Sequence, residues 1–176
     1  MTIEEYAIQY LEREIAILAR LPELHSSLSV YEKAIIYKYT DDGFDAINEV
    51  LRESKGAKIS ELGVYLSDIL ERIPSFEGYG FRGVDLPQSL IQQYIEACEK
   101  ETIILEFTFV SGSKSATVAR QFGNVFFEIY SENWKNIEAI SKYSIEKEVI
   151  LKPNSTFEVL AYKFENGIYH FKMIEI

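Results

Sequence analysis

Apolar positions along the chain change period once. Up to about residue 74 they recur at three- and four-residue intervals, with charged residues between them. Ala7, Leu11, Ile15 and Leu18 share one face of a first helix, and Thr2 with Glu5 predicts a capping box at its start. Pro22 is expected to end it. Ser29 with Glu32 predicts a second capping box, opening a helix through Ala34 and Ile35 toward Tyr39. Thr40-Asp41-Asp42-Gly43 reads as a turn. Phe44, Ile47 and Leu51 mark a third helix, stopped near Gly56, and Leu62, Leu66, Ile69 and Ile73 a fourth, stopped by Pro74. Ser75 to Gly80 is a glycine-bearing loop before a short strand around Phe81–Val84. Pro87 fits the first turn of a helix carrying Ile91, Tyr94, Ile95 and Cys98 on one face. From Thr102 onward β-type residues dominate, with expected strands at 102–110, 124–130, 136–140, 146–151, 156–164 and 168–175. A helix is expected near Ser115–Phe122, and Asn166-Gly167 predicts a type I′ hairpin turn between the last two strands. No repeat, low-complexity segment or long polar linker divides the chain, so one α+β domain is expected over 1–176. It comprises an N-terminal helical extension (1–28), a helical lead-in (29–74) and a β-rich core (75–176).

Composition narrows what such a domain can do. The 28 acidic and 18 basic residues leave a net charge of −10, a field that repels phosphate backbones and makes nucleic acid an unsuitable partner. An anionic substrate would need a local basic site working against that field. Cys98, the single cysteine, excludes an internal disulfide and a cysteine-based zinc site. His25 and His170 are too far apart in sequence for a multi-histidine metal motif. No apolar run is long enough to span a membrane, and Met1–Tyr6 has neither a basic n-region nor an apolar h-region. The protein is expected to be soluble as made, leaving its cell, if it does, by another route.

Three short stretches carry candidate chemistry. In Ser141–Leu151 a polar loop with one aromatic residue runs into an apolar strand, and Glu146 and Glu148 flank the junction. On a strand, residues two apart face the same way, which would pair the carboxylates about 7 Å apart at the backbone. The same triplet is also an ordinary solvated strand end. Arg82-Gly83 lies on the predicted first strand, and Ser111-Gly112-Ser113 at the end of the second.

Taken in order, these motifs resemble the mono-ADP-ribosyltransferases of the arginine–serine–glutamate class, the group holding binary-toxin enzymes, C3-like exoenzymes and arginine-specific Glu-x-Glu transferases. The resemblance runs from about Ser29 to Val159. It takes in the Tyr39, Asn48 and Arg52 lead-in, Arg82-Gly83, Ser111, Gln121-Phe122-Gly123, Glu146-Lys147-Glu148 and Pro153–Val159. It implies an ADP-ribosyltransferase fold, with helices packed on a two-sheet β core that forms an NAD cleft. It also implies transfer of ADP-ribose from NAD to an arginine of a target protein, with release of nicotinamide and no metal. Glu148 would hold the ribose 2′-hydroxyl and stabilise an oxocarbenium-like centre. Glu146 would engage and deprotonate the acceptor guanidinium, since relatives with glutamine there modify asparagine or other residues. Ser111 would orient Glu148, and Arg82 would grip the pyrophosphate or the adenosine-side phosphate. Gly83 would admit the nicotinamide amide and Phe122 would stack on the ring. Tyr39, Asn48 and Arg52 would reach the dinucleotide from the lead-in, and Tyr143 would meet the protein substrate. Cys98 and Trp134 are assigned to packing.

Two departures from the family pattern stand out. Gly112 replaces the middle residue of the usual Ser-Thr-Ser, which leaves Ser113-Lys114-Ser115 as a competing register. Val125 occupies the place of a second phosphate-binding arginine, for which Arg52 and Arg120 are the candidate substitutes. A bacterial toxin, effector or phage enzyme is implied, secreted or injected or acting in host cytoplasm, with a separate delivery component, a parent polyprotein or injection as the route. An NAD glycohydrolase using water, and a non-catalytic module that keeps the fold, are the competing readings.

Overall fold

The computed structural model describes residues 1–21 and 27–176; Pro22 and His25 lie outside the described residues. Both capping boxes form, Thr2 with Glu5 and Ser29 with Glu32. The expected first helix is two, α1 (Ile3–Tyr10) and α2 (Glu12–Leu18), with a bend at the buried Leu11. α3 (Val30–Lys38) passes through a π-helical turn, Tyr39–Gly43, into α4 (Phe44–Glu53). The expected turn at Thr40–Gly43 is therefore a widening of a continuous helical path: its turn-forming composition does not break the chain's helical course. α5 (Glu61–Arg72) completes the helical half. Ala7, Ile35, Leu51, Leu66 and Ile69 fill a core there, joined by Phe109, Ile137, Ile140 and Ile150 from the β-rich half.

β1 (Ser75–Val84) takes in both the expected loop and the expected strand. It is followed by α6 (Gln88–Lys100), β2 (Ile103–Glu106), β3 (Val110–Ser113), the short α7 (Ala116–Ala119), β4 (Val125–Asn136), β5 (Glu148–Leu151), β6 (Ser155–Glu165) and β7 (Ile168–Glu175). Asn166 and Gly167 both take positive φ between β6 and β7, as a type I′ turn requires. The expected strand 102–110 is interrupted because Phe109 turns into the helical core and its N–H goes to Asn48 Oδ1 at 3.1 Å. The expected strand 136–140 is a turn. Ile137 and Ile140 are both buried, and the Ser141 N–H closes on the Ile137 carbonyl.

The strands are hydrogen-bonded in the order β1-β3-β5-β4-β7-β6-β2, with β1 also paired to β4. β1, β3, β5 and β4 thus make a closed circuit, and β4, β7, β6 and β2 an arm that leaves it; the two expected sheets share β4. Inside the circuit the fully buried Trp134 lies against Gly80 and Gly112. α6 covers the arm, and Ile91, Phe127, Phe157, Phe171 and Met173 form the second core.

Candidate active site

The circuit brings β1 and β5 to the two sides of β3, and with them residues far apart in sequence. Arg82 and Gly83 come from β1, Ser111–Ser113 from β3, Glu148 from the first position of β5. Together with Phe44, Phe81, Val118, Ala119, Phe122 and Glu146 they line one cleft of about 330 Å³. Arg82 also lines an adjoining cavity of about 410 Å³, whose other walls include Arg52, Lys55, Leu86, Tyr94 and Phe107. The guanidinium therefore stands at the junction of two spaces. Its Nη1 donates to the Ser111 carbonyl at 2.9 Å, which leaves other N–H groups of the fork for a ligand.

Glu146 and Glu148 share the cleft, but not by strand alternation. Glu146 ends a 3-10 turn, Ser144–Glu146, and Lys147 adopts φ 49°. That left-handed residue reverses the chain and places Glu146 in the loop facing Glu148. The expected strand 146–151 accordingly begins at Glu148.

Glu148 is tied into a chain of hydroxyls. Ser141 Oγ donates to its Oε2 at 2.9 Å. Ser111 Oγ lies 2.9 Å from the hydroxyl of Tyr39, which is 1% exposed. Burial pushes the Glu148 carboxyl up to about 7, Glu146 adds to the rise, and the hydroxyls of Ser141 and Ser111 oppose it. Burial likewise raises the Tyr39 phenol to about 12, so Tyr39 is a neutral hydrogen-bonding group at any working pH. The three serines differ in their partners. Ser115 caps α7 through the Val118 N–H, and Ser113 Oγ accepts from the Ser115 N–H. Ser111 is the serine that meets Tyr39 and bears on Glu148.

The two glycines of the site have steric causes. A Cβ on Gly83 would lie 2.0 Å from the Ala119 carbonyl oxygen and 2.4 Å from that of Phe122, so the segment after α7 closes on β1 only there. A Cβ on Gly112 would lie 2.9 Å from the Phe81 carbonyl oxygen and 3.5 Å from Trp134, which accounts for a glycine in the middle of the serine motif.

Other expected residues are placed differently. Asn48 lines neither space; its side-chain oxygen is spent on Phe109. Tyr39 is buried beneath the cleft rather than in its wall. Arg52 lines the adjoining cavity, whereas Arg120 sits 5.0 Å over the Phe126 ring and lines a separate groove with Lys163 and His170. Phe122 lines both that groove and the cleft. Tyr143, 48% exposed, lies outside the cleft lining. Sequence reasoning missed Ser141, a loop hydroxyl with no periodic signal that is identified only once the loop is folded against Glu148. Among the described residues no three His, Cys, Asp or Glu side chains are disposed to hold a metal ion, and no helix is long and apolar enough to cross a membrane.

The geometry has counterparts among known proteins. The chain is 32% identical over 136 residues to the Mav protein of Mycobacterium avium (strain 104), a match covering 73% of this chain and 16% of that protein. It is 27% identical over 157 residues to the NAD(+)–protein-arginine ADP-ribosyltransferase Tre1 of Serratia proteamaculans (strain 568), covering 88% of this chain and 34% of Tre1. The chain thus spans well under half the length of either relative. Its fold matches the crystal structure of the ADP-ribosyltransferase HopU1 of Pseudomonas syringae pv. Tomato DC3000 with a TM-score of 0.78 at 19% identity, over 100% of this chain and 88% of HopU1. The family model for NAD:arginine ADP-ribosyltransferases matches residues 81–176, which hold Arg82, Ser111, Glu146 and Glu148. On that match, over more than half its residues, the chain belongs to the NAD:arginine ADP-ribosyltransferase family.

Proposed function

We propose that residues 1–176 act as one mono-ADP-ribosyltransferase unit of the Glu-x-Glu, arginine-modifying branch, grouped with the binary-toxin and C3-like enzymes. The observation that carries this reading is the shared cleft: Arg82 and Glu148 line it together, with Glu146 beside Glu148. The 330 Å³ and 410 Å³ spaces meeting at Arg82 suit the two halves of a dinucleotide, with a pyrophosphate at the guanidinium between them. Nicotinamide and its ribose take the cleft against Phe122 and Gly83; adenosine takes the cavity beyond, where Arg52 and Lys55 supply further positive charge.

In this reading the bond between nicotinamide N1 and ribose C1′ breaks, its electron pair leaving with nicotinamide, which departs neutral. The ribose acquires oxocarbenium character, and the Glu148 carboxylate, bonded to the 2′-hydroxyl, stabilises it. The positive charge of bound nicotinamide favours the ionised form of Glu148. Ser141 and Ser111 hold the carboxylate in place, and buried Tyr39 fixes Ser111. A guanidine nitrogen of the target arginine forms the new bond to C1′, and Glu146 takes the proton it loses. Tyr143, exposed at the cleft's rim loop, is the contact for the target protein. The setting we propose is a bacterial toxin, effector or phage enzyme acting in another cell after delivery by a separate component.

Labelled NAD with agmatine or cell lysate tests this. Label should pass to agmatine or to protein arginine, and Glu148→Gln should abolish the transfer. Transfer unaffected by Glu148→Gln would overturn the assignment. Free ADP-ribose as the sole product across many acceptors would make the protein a glycohydrolase, and no NAD binding by calorimetry would make it a non-catalytic module.

A further inference from the structure

The loop between β4 and β5 bears Ser141, Tyr143 and Glu146, and its outer arc is open to solvent, with Ile145 78% exposed. Its first part is fastened by Ile137 and Ile140 in the helical core. The point where it leaves that core is fastened differently, by one residue held at two atoms. The Lys142 N–H donates to Thr40 Oγ1 at 3.0 Å, and Lys142 Nζ donates to Asp41 Oδ1. Thr40 and Asp41 lie in the π-helical turn, next to Tyr39, which bonds Ser111. One widened turn thus touches both hydroxyl supports of Glu148: Ser111 directly, and Ser141 through its neighbour Lys142. The Asp41 side chain is only 8% exposed and also takes Arg13 of α2 at 3.4 Å. A carboxylate this buried and doubly partnered is a fixed anchor, unlike a solvated surface pair.

We propose that Asp41 is a positioning residue for acceptor choice: its hold on Lys142 keeps Glu146 aimed into the cleft, so that an arginine rather than water receives the ADP-ribose. This rests on the transferase reading above. Arg82, Ser111 and Glu148 sit on strands, and Ser141 is also fastened from its own side by its N–H on the carbonyl of buried Ile137, whereas Glu146 is reached only through the loop's outer arc. Loosening the anchor therefore penalises transfer more than NAD cleavage. A misplacement of about 1 Å at a reacting group costs up to about a hundredfold.

The test uses the full chain with NAD and agmatine, and compares ADP-ribosyl-agmatine with free ADP-ribose for Asp41→Ala, Lys142→Met and Lys142→Arg. Amide hydrogen exchange of residues 141–148 is followed in parallel. Asp41→Ala and Lys142→Met should lower the transfer-to-hydrolysis ratio about tenfold or more, with the KM for NAD within about twofold of wild type. Lys142→Arg, which keeps the cation, should return the ratio toward wild type. Faster exchange in the loop should accompany each loss. Equal falls in transfer and hydrolysis would mark Asp41 as merely structural and overturn the proposal, as would a wild-type ratio with wild-type loop protection. A wild type that makes neither product removes the transferase reading and this inference with it; a transferring wild type with an unaltered Asp41→Ala ratio removes this inference alone.

Discussion

Replacing Glu148 by glutamine removes a charge from a buried position while keeping an oxygen that accepts from Ser141. Burial holds the carboxyl at about 7 in the folded chain, against 4.5 for an unperturbed glutamate. Between those values the folded chain keeps a proton that the unfolded chain has released, so stability falls as pH rises through the window and levels off above about 7. Below 4.5 both states are protonated and the carboxyl costs nothing. At about 1.4 kcal/mol per pH unit, the raised Glu148 carboxyl costs the folded state about 1 kcal/mol at pH 5, where it holds a proton the unfolded chain has lost, and about 3 kcal/mol at pH 8, where it is ionised. Glu148→Gln carries no such cost. The variant should exceed wild type in urea unfolding by a margin that widens by about 2 kcal/mol between those two pH values, a change that other titrating groups share and therefore cancel. A constant margin would show that Glu148 ionises as an ordinary surface carboxylate, and the account of a desolvated cleft would fall.

Further outcomes follow from the same geometry. Arg82→Lys loses the fork that serves the Ser111 carbonyl and, in the proposed reading, a phosphate at once; the KM for NAD should rise about 10–100-fold with little change in Tm, and an unchanged KM would remove Arg82 from the dinucleotide site. Gly83→Ala sets a methyl against two carbonyl oxygens; a loss of about 1–3 kcal/mol with loss of NAD binding is expected, and a neutral variant would contradict the close approach. Ser141→Ala removes a hydroxyl that lowers the Glu148 pKa; the low-pH limb of the activity profile should move to higher pH, and an unmoved midpoint would detach Ser141 from Glu148.

What could be seen in the sequence divides along physical lines. Capping boxes, the Asn166-Gly167 turn and the helical periodicities are local signals, and each formed where its residues stand, save that the first helix breaks at Leu11. The order Arg82, Ser111, Glu148 carried the cleft because the strands holding them pair directly. Features set by partners elsewhere in the chain were not legible. β4 runs unbroken through the polar Ser131-Glu132-Asn133 because it exchanges one neighbour for another along its length, and Ser131 bonds Glu175 from β7. The Glu146–Glu148 pairing depends on a left-handed lysine, a conformation sparse for such a residue and unmarked in composition. Ser141 and the π-helical turn took their meaning from contacts about a hundred residues apart, between Thr40 or Asp41 and Lys142.

The circuit of β1, β3, β5 and β4 around Trp134 has a consequence for when the protein becomes competent. Its guanidinium and its carboxylate belong to strands that do not pair with each other and are joined by β3 on one side and by β4 on the other. Until both joining strands dock, a nascent or threaded polypeptide carries every proposed catalytic group and no workplace for them. Passage through a narrow conduit as an open thread would thus silence the molecule in transit, and closing the hoop at the far end would arm it.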